Sequence, residues 1–183
     1  MEMFGDNLGI GFPSDQPIIF NIKSPEATAG FIEFFNYFWK QEVSVDSGIA
    51  ALRRVMFEML GELNAGEEYF VLGASIGSGA DDAVQKFYDE FHRERIKKGV
   101  IVKLLAYKES LARIKKRFAD FGDPAGKISV IKSFVAAPPI PMQINLFKNK
   151  TRLVIYGAEP VVILFDRPEI FANFKIYFDK LWK

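Results

Sequence analysis

The residue best suited to acid–base chemistry is His92, the only histidine among the 183 residues. It stands in Phe91-His92-Arg93-Glu94-Arg95, near the end of a predicted helix. A Ser-His-Asp triad needs its histidine between a nucleophile and a carboxylate, and no spacing in this chain identifies such partners. We therefore expect His92 on the surface or at an interface. A single histidine and the absence of cysteine exclude His-rich and thiolate metal sites, cysteine nucleophiles and disulfides.

A glycine-rich loop, residues 73–79, precedes a predicted helix and is the second chemical candidate. Free backbone N–H groups at such a position could bind an anion or a sugar hydroxyl. The loop lacks the Gly-Lys-Ser/Thr ending of a P-loop and carries only part of a dinucleotide-binding fingerprint. The alternative is a plain strand–helix connection. Ligands in open α/β sheets lie beyond the carboxyl ends of strands, which predicts a polar pocket there. Its candidate lining residues are Ser75, Ser78, Gln143 and Asn145.

Basic residues are concentrated in two runs, 93–98 and 113–117, that fall on predicted helices. Acidic residues are interleaved with them, so we expect a solvated, ion-paired face rather than a nucleic-acid footprint. The net charge of +1 also argues against a polyanionic partner. No apolar run approaches the roughly 20 residues that a membrane span needs. We expect a cytoplasmic protein, because a chain without cysteine suits a reducing compartment.

The two ends of the chain align without a gap when Phe4 is placed on Phe147. Residues 1–40 and 144–183 share nine identities among 40 positions. Average composition gives roughly two or three by chance. The alternative is two unrelated amphipathic strand–helix units. The identical pairs are Phe4/Phe147, Pro17/Pro160, Pro25/Pro168, Glu26/Glu169, Ala29/Ala172, Phe31/Phe174, Phe35/Phe178, Trp39/Trp182 and Lys40/Lys183.

Each copy is predicted to form a β-hairpin, a third strand and a helix. In the second copy the third strand, Val161–Phe165, is a continuous apolar run, which indicates burial on both faces. Pro168 and Glu169 then begin the helix, since proline suits its first turn and glutamate the positive end of its dipole. Each helix carries an apolar stripe that we expect in a core. The stripes are Phe171, Phe174, Phe178 and Leu181, and Phe31, Phe34, Phe35, Phe38 and Trp39.

Between the copies, helices alternate with apolar strands, which predicts an α/β sandwich with a parallel or mixed sheet. A polar linker is predicted at 41–46, helices at 47–63, 81–98 and 109–118, and strands at 69–72, 100–106 and 128–131. One unit then spans 41–183, and the length of this unit equals the offset of the repeat. We therefore expect 1–40 to be the C-terminal part of a preceding repeat unit and the chain to be a fragment of a longer protein. The alternative is a half-unit that stands alone.

An ordered set of segments resembles the C-terminal effector domain of archaeal TrmB-type transcription regulators. The segments are 46–52, 68–73, 91–100, 144–150 and 177–183, so the resemblance covers 46–183, and 1–40 match its last third again. It implies a phospholipase D-like α/β sandwich with a mixed sheet, preceded by a duplicated β-hairpin–strand–helix half-unit. Family members usually carry an N-terminal winged helix-turn-helix, and some sense sugars with this domain. This chain shows no such DNA-binding segment, so we expect no direct nucleic acid contact from it.

Active members of the phospholipase D superfamily carry His-x-Lys-x4-Asp, in which the histidine attacks phosphorus and the lysine holds phosphate oxygens. Laid on the strand before the turn at Lys148, the motif falls on Met142, Ile144 and Asn149. Methionine and isoleucine are apolar, and asparagine cannot take up a proton as aspartate can. In the first copy Asp6 matches the last position, but Met1 stands where lysine is needed. We therefore expect no phosphodiesterase activity.

The sequence and the resemblance together predict a non-catalytic ligand-sensing domain of a TrmB-like transcription regulator. The expected effector is a sugar or another small metabolite, and the expected assembly is a homo-oligomer, with no cofactor and no membrane contact. One alternative is an oligomerisation module without a small-molecule ligand. The other is a degenerate phosphodiesterase.

Overall fold

The computed structural model describes residues 2–4, 7–12, 18–39, 43–74, 82–134 and 141–183. The chain divides into two compact units, Met1–Gln41 and Glu42–Lys183. This boundary lies next to the predicted start of the second unit at residue 41.

The first unit contains a three-stranded antiparallel sheet and a helix. Strands β1 (Glu2–Phe4), β2 (Asn7–Phe12) and β3 (Ile18–Lys23) are neighbours in that order, and α1 spans Pro25–Trp39. Ser24 caps the helix, because its Oγ accepts a hydrogen bond from the Ala27 N–H at 3.1 Å. The predicted aromatic stripe of this copy lies on α1, but the packing of those side chains is outside the described part of the chain. Its members are Phe31, Phe34, Phe35, Phe38 and Trp39.

The second unit alternates strands and helices along the chain. Its elements are β4 (Val43–Ser47), α2 (Gly48–Glu62), β5 (Glu68–Ala74), α3 (Asp82–Lys98), β6 (Ile101–Tyr107), a 3-10 turn (Lys108–Ser110), α4 (Leu111–Asp120), β7 (Ser129–Phe134), β8 (Met142–Phe147), β9 (Lys150–Ile155), β10 (Val161–Phe165) and α5 (Pro168–Trp182). The seven strands form one sheet in the order β4-β10-β9-β8-β5-β6-β7. Strands β5, β6 and β7 are parallel, and the other neighbouring pairs are antiparallel. The predicted α/β class with a mixed sheet is confirmed.

Helices cover both faces of this sheet. On one face, α2, α3 and α4 contribute Leu52, Phe91 and Phe118 to a core cluster with residues of the strands. On the other face, α5 packs its stripe, and Phe178 is completely buried against Leu72, Leu105, Ile144 and Leu146. The predicted stripe of α5 is therefore confirmed.

The expected burial of β10 on both faces is wrong. Only Val162 is fully buried, and the other four residues of the strand are half-buried. The physical reason is the position of β10 one strand from the edge of the sheet.

The predicted polar linker 41–46 is also wrong over its described part. Val43–Ser47 is strand β4, which pairs antiparallel with β10 so that Val43 lies opposite Phe165. It is an edge strand, and both of its valines are exposed. An edge strand satisfies its backbone on one side without burying side chains, so its sequence need not be apolar.

Strand β8 joins the parallel and antiparallel halves of the sheet. It pairs with β5 through Ile144 opposite Leu72, and with β9 through Asn145 opposite Arg152. Gly73 allows β8 to lie close to β5. Its φ is +84°, and a Cβ at this position would lie 2.8 Å from the Met142 carbonyl oxygen. Gly73, predicted as the first residue of the loop, thus belongs to β5.

A tight turn connects β8 with β9, as the sequence predicts. Lys148 and Asn149 both have positive φ, 40° and 63°, as a two-residue hairpin of this twist requires. Lys148 pairs with Glu67 at 2.9 Å, and Lys150 pairs with Glu62 at 2.8 Å. These ion pairs attach the turn to the last residue of α2 and to the segment that follows it.

The same order of elements occurs at the end of both units. Strands β2 and β3 and helix α1 begin at Asn7, Ile18 and Pro25. Strands β9 and β10 and helix α5 begin at Lys150, Val161 and Pro168. Each of these starts is displaced by the same offset, and it is the offset that aligns the two ends of the sequence.

The burial of α5 predicts how strongly it stabilises the second unit. We expect Phe178→Ala to lower the free energy of unfolding by about 3–5 kcal/mol, because a completely buried aromatic ring leaves a cavity. The neighbouring Tyr177 is 52% exposed, so Tyr177→Ala should change it by no more than about 0.5 kcal/mol. Urea unfolding followed by circular dichroism measures both. Equal losses for the two variants would contradict the packing of α5 described above.

Candidate functional site

A small cavity lies between the sheet and helices α2, α3 and α4, and its volume is about 30 Å³. Tyrosines and other polar side chains interrupt its apolar wall. Its polar lining residues are Tyr69 on β5, Gln85, Tyr88 and His92 on α3, Gln143 on β8 and Tyr156 after β9. We call this space the core cavity.

A continuous chain of hydrogen bonds runs along one side of the core cavity. The Tyr156 hydroxyl donates to Gln143 Oε1 at 3.1 Å, so the 2.6 Å contact between Tyr88 and Tyr156 has Tyr88 as the donor. Gln143 Nε2 donates to Asn145 Oδ1 at 2.7 Å, and Asn145 Nδ2 donates to the Arg152 carbonyl at 3.3 Å. We call these four side chains, Tyr88, Tyr156, Gln143 and Asn145, the polar chain.

Strand geometry positions the two amides of the polar chain. Successive side chains of a strand point to opposite faces, so Gln143, Asn145 and Phe147 share one face of β8. Phe147 belongs to the core under α2, α3 and α4, which identifies that face. Tyr156 is held in place because its N–H donates to the Pro141 carbonyl at 2.8 Å.

The structure brings together two of the four predicted pocket residues. Gln143 lines the core cavity, and Asn145 is its hydrogen-bond partner and is completely buried. Ser75 and Ser78 lie outside the described residues. Both amides bond to other protein groups, and Asn145 is not among the residues that line the core cavity.

His92 is a core residue, and the predicted surface or interface position is wrong. Its ring stacks on Tyr88 with centroids 5.8 Å apart, and it meets the Phe118 ring edge-on at 4.7 Å. Burial lowers the pKa of His92 well below its ordinary value, and the positive charges of Arg95 and Arg117 lower it further. Its Nδ1 has no hydrogen-bond partner among the described residues, so the carboxylate of a triad is not in place there.

Burial also perturbs the tyrosines of the cavity. It raises the pKa of Tyr69 to about 12, although Arg95 acts in the opposite direction. The pKa values of Tyr88 and Tyr156 are raised as well, chiefly by burial. These hydroxyls are therefore protonated at neutral pH and can act as hydrogen-bond donors.

Arg95 departs from the predicted solvated basic face, because it is completely buried. Its Nη1 donates to the Val100 carbonyl at 2.9 Å and its Nη2 donates to Ser129 Oγ at 2.6 Å. It thereby ties the end of α3 to the starts of β6 and β7. The ion-paired character expected for the rest of the face is confirmed in part, since Lys116 pairs with Asp120 and Arg117 with Asp89.

Two of the three described positions of the phosphodiesterase motif lie in an apolar environment. Ile144 and Met142 belong to the cluster under α5, and Asn149 lies in the turn between β8 and β9. Met1 and Asp6 lie outside the described residues. Within the described ranges, no group of three or more His, Asp or Glu side chains could hold a metal ion. In the same ranges, no helix has both the length and the apolarity needed to cross a membrane.

No family model matches the sequence, and no curated protein sequence matches it. Among solved structures, the chain is similar to TrmBL2, described as an archaeal chromatin protein with a novel mode of DNA binding. The TM-score is 0.52 and the identity 18%, over 86% of this chain and 59% of that one. The described chain thus corresponds to less than two thirds of the TrmBL2 chain.

A second similar structure is the polyphosphate kinase of Porphyromonas gingivalis, a member of the phospholipase D superfamily. The TM-score is 0.51 and the identity 9%, over 76% of this chain and 26% of the kinase. At these identities the two likenesses establish the fold alone. The architecture is a phospholipase D-like α/β sandwich, as the sequence predicts.

The buried histidine predicts a specific pH dependence of stability. The unfolded chain binds a proton at His92 near pH 6.5, whereas the folded chain resists it. Stability from this group is therefore complete above pH 6.5 and falls below it, by about 1.4 kcal/mol per pH unit. The charged or titratable groups facing the ring are Tyr69, Tyr88, Arg95 and Arg117.

Urea unfolding between pH 5.5 and 7.5 measures this dependence in the wild type and in His92→Gln. Because His92 is the only histidine, the variant should lose the slope that the wild type shows in this range. Equal slopes in both proteins would contradict a neutral, buried His92.

Proposed function

We propose that this chain is a non-catalytic, ligand-sensing domain of a TrmB-like transcription regulator of the cytoplasm, with a sugar or another small metabolite as its effector. The observation that carries the proposal is the core cavity with its polar chain, inside a fold that is similar to an archaeal DNA-binding chromatin protein over 86% of this chain. Hydroxyl and amide groups on an apolar wall are typical of sites that recognise small polar molecules.

The absence of catalysis in this proposal is supported by the strand where the superfamily carries its catalytic residues. Met142 and Ile144 pack in the cluster with Phe178 of α5. Neither side chain can act as a nucleophile or bind a phosphate oxygen. His92 could transfer a proton, but it is buried on the other face of the sheet, where its pKa is lowered.

We place DNA binding outside this chain. Its net charge is +1, and several basic side chains are already paired with carboxylates. Arg53 pairs with Glu90, and Arg54 pairs with Glu58. A protein that binds DNA through its phosphates needs a set of unpaired lysines and arginines on one face.

The first unit, in our proposal, is the C-terminal part of a preceding repeat unit, and the effector domain is 41–183. The support is the ungapped sequence match, together with the common offset between the starts of corresponding elements.

Effector binding must rearrange the core cavity, because about 30 Å³ is far less than the 300 Å³ or more of usual ligand pockets. In our proposal α3 moves, because its Tyr88 is linked to Gln143 by hydrogen bonds through Tyr156. Separating Tyr88 from Tyr156 breaks one hydrogen bond, for which a hydroxyl of a sugar is a chemically equivalent replacement.

The ligand-sensing proposal predicts a thermal shift. We expect at least one compound in a panel of mono- and disaccharides and small metabolites, each at millimolar concentration, to raise the melting temperature of the full chain. Gln143→Leu should abolish the rise, because it removes the amide at the centre of the polar chain. Asn173→Leu, an exposed amide on α5, should retain it. No shift across the panel, or a shift equal in both variants, would count against ligand sensing at this site.

A second candidate function, assembly of copies of this chain, is favoured by the edge of the sheet at β4. Among the described strands, β4 pairs with β10 alone, and its Val45 is 63% exposed. An exposed edge strand with apolar side chains can pair with a second strand. Val43 and Ile49 beside it are also exposed.

Light scattering on the full chain tests the assembly candidate. If β4 mediates assembly, the wild-type chain forms an oligomer. Val45→Lys should shift this oligomer to monomer, since a lysine on an edge strand opposes strand pairing. Val130→Lys on β7, the opposite edge, is the matched control and should leave the oligomer intact. A strict monomer at high protein concentration would exclude this candidate.

A further inference from the structure

We propose that the core cavity is a buried hydration site, in which ordered water bridges the Tyr69 hydroxyl and His92 Nδ1. This inference concerns the structure of the domain itself and does not depend on the proposed function.

Two polar atoms of the residues on the cavity wall lack a hydrogen-bond partner in the described part of the chain. Tyr69 Oη and His92 Nδ1 are both buried, and neither has a hydrogen-bond partner among the described residues. Tyr69 is 1% exposed and His92 is 8% exposed. A buried polar atom without a partner has lost its hydrogen bond to water and gained none, so native proteins rarely leave one unsatisfied.

These two atoms belong to residues that line the same cavity. Other unpartnered atoms in the described part of the chain, on Thr28, Arg95 and Thr151, belong to residues that do not line it. Tyr69 comes from β5 and His92 from α3, so a molecule bound to both joins the sheet to the helix.

The volume of the core cavity also suits water. A buried water needs a cavity of roughly 10–15 Å³ or more, and two to four polar partners. The core cavity has about 30 Å³, which accommodates one or two waters and no metabolite. Gln85, Gln143, Tyr88 and Tyr156 also line it and supply further donors and acceptors.

Water fits the chemistry of the wall better than a small anion does. The hydroxyl protons of Tyr88 and Tyr156 are committed within the polar chain, so these tyrosines present oxygen lone pairs to the cavity. Water can donate to such lone pairs and accept from Tyr69, whereas an anion can only accept. The imidazole of His92 is neutral and can serve as either donor or acceptor.

The test combines a crystal structure of the full chain with the stability of Tyr69→Phe. Hydration predicts a density peak within hydrogen-bond distance of both Tyr69 Oη and His92 Nδ1. It also predicts that Tyr69→Phe lowers the melting temperature by about 2–4 °C, because the water loses a partner while His92 stays buried. Tyr177→Phe, on the exposed surface of α5, is the control and should change nothing.

A dry cavity gives the opposite result. Without water, Tyr69→Phe removes an unsatisfied hydroxyl from the core, so the melting temperature stays the same or rises. That result, or the lack of a density peak, overturns the proposal. An anomalous peak at the same position in bromide-soaked crystals also overturns it, because it identifies an anion site. If Tyr69→Phe fails to fold, the wild-type crystal structure alone decides.

Discussion

The pairing of β8 with β5 is the contact on which the second unit depends. On one side of this contact lie the parallel strands β5, β6 and β7, and on the other side the antiparallel strands β9, β10 and β4. The register, with Ile144 opposite Leu72, places Ile144 under α5 and Gln143 at the core cavity. A slip of one residue would exchange the two faces, bury amides under Phe178 and break the polar chain. The glycine at position 73 makes the required approach of the backbones possible.

Two polar networks attach helix α3 to the sheet at different points along the helix. Near its middle, Tyr88 reaches β8 through Tyr156 and Gln143. At its C-terminal end, Arg95 binds backbone carbonyls beside β6 and β7. Because hydrogen bonds are directional, these networks define the position of α3 more narrowly than apolar packing alone does. Displacement of α3, one of the helices that border the cavity, would therefore break hydrogen bonds of both networks.

Much of this fold can be predicted from the sequence, because the periodicity of apolar residues indicates which side chains are buried. The stripe of α5 identifies Phe178 as a core residue without any structure, and the place of Gln143 and Asn145 at the strand ends makes them candidate pocket residues. The prediction fails where a polar side chain is buried or an apolar side chain is exposed. His92 and Arg95 stand in a charge-rich stretch, yet they share a helical face with Tyr88 and are buried. The spacing, four residues from Tyr88 to His92 and three from His92 to Arg95, was the available signal. Strand β4 was missed for the opposite reason, since its valines are exposed.

The tyrosines that line the core cavity with Gln143 could not be predicted, because they come from distant parts of the chain. Tyr69, Tyr88 and Tyr156 converge only after β5, α3 and β9 have packed, and no local pattern connects them. The ring of His92 lies among these groups and is the chain's single imidazole. Its carbon-bound ring protons therefore give one set of nuclear magnetic resonance signals, displaced by the ring currents of Tyr88 and Phe118. Any event that moves α3 against the sheet changes those signals, so the domain carries an intrinsic spectroscopic reporter of its own interior.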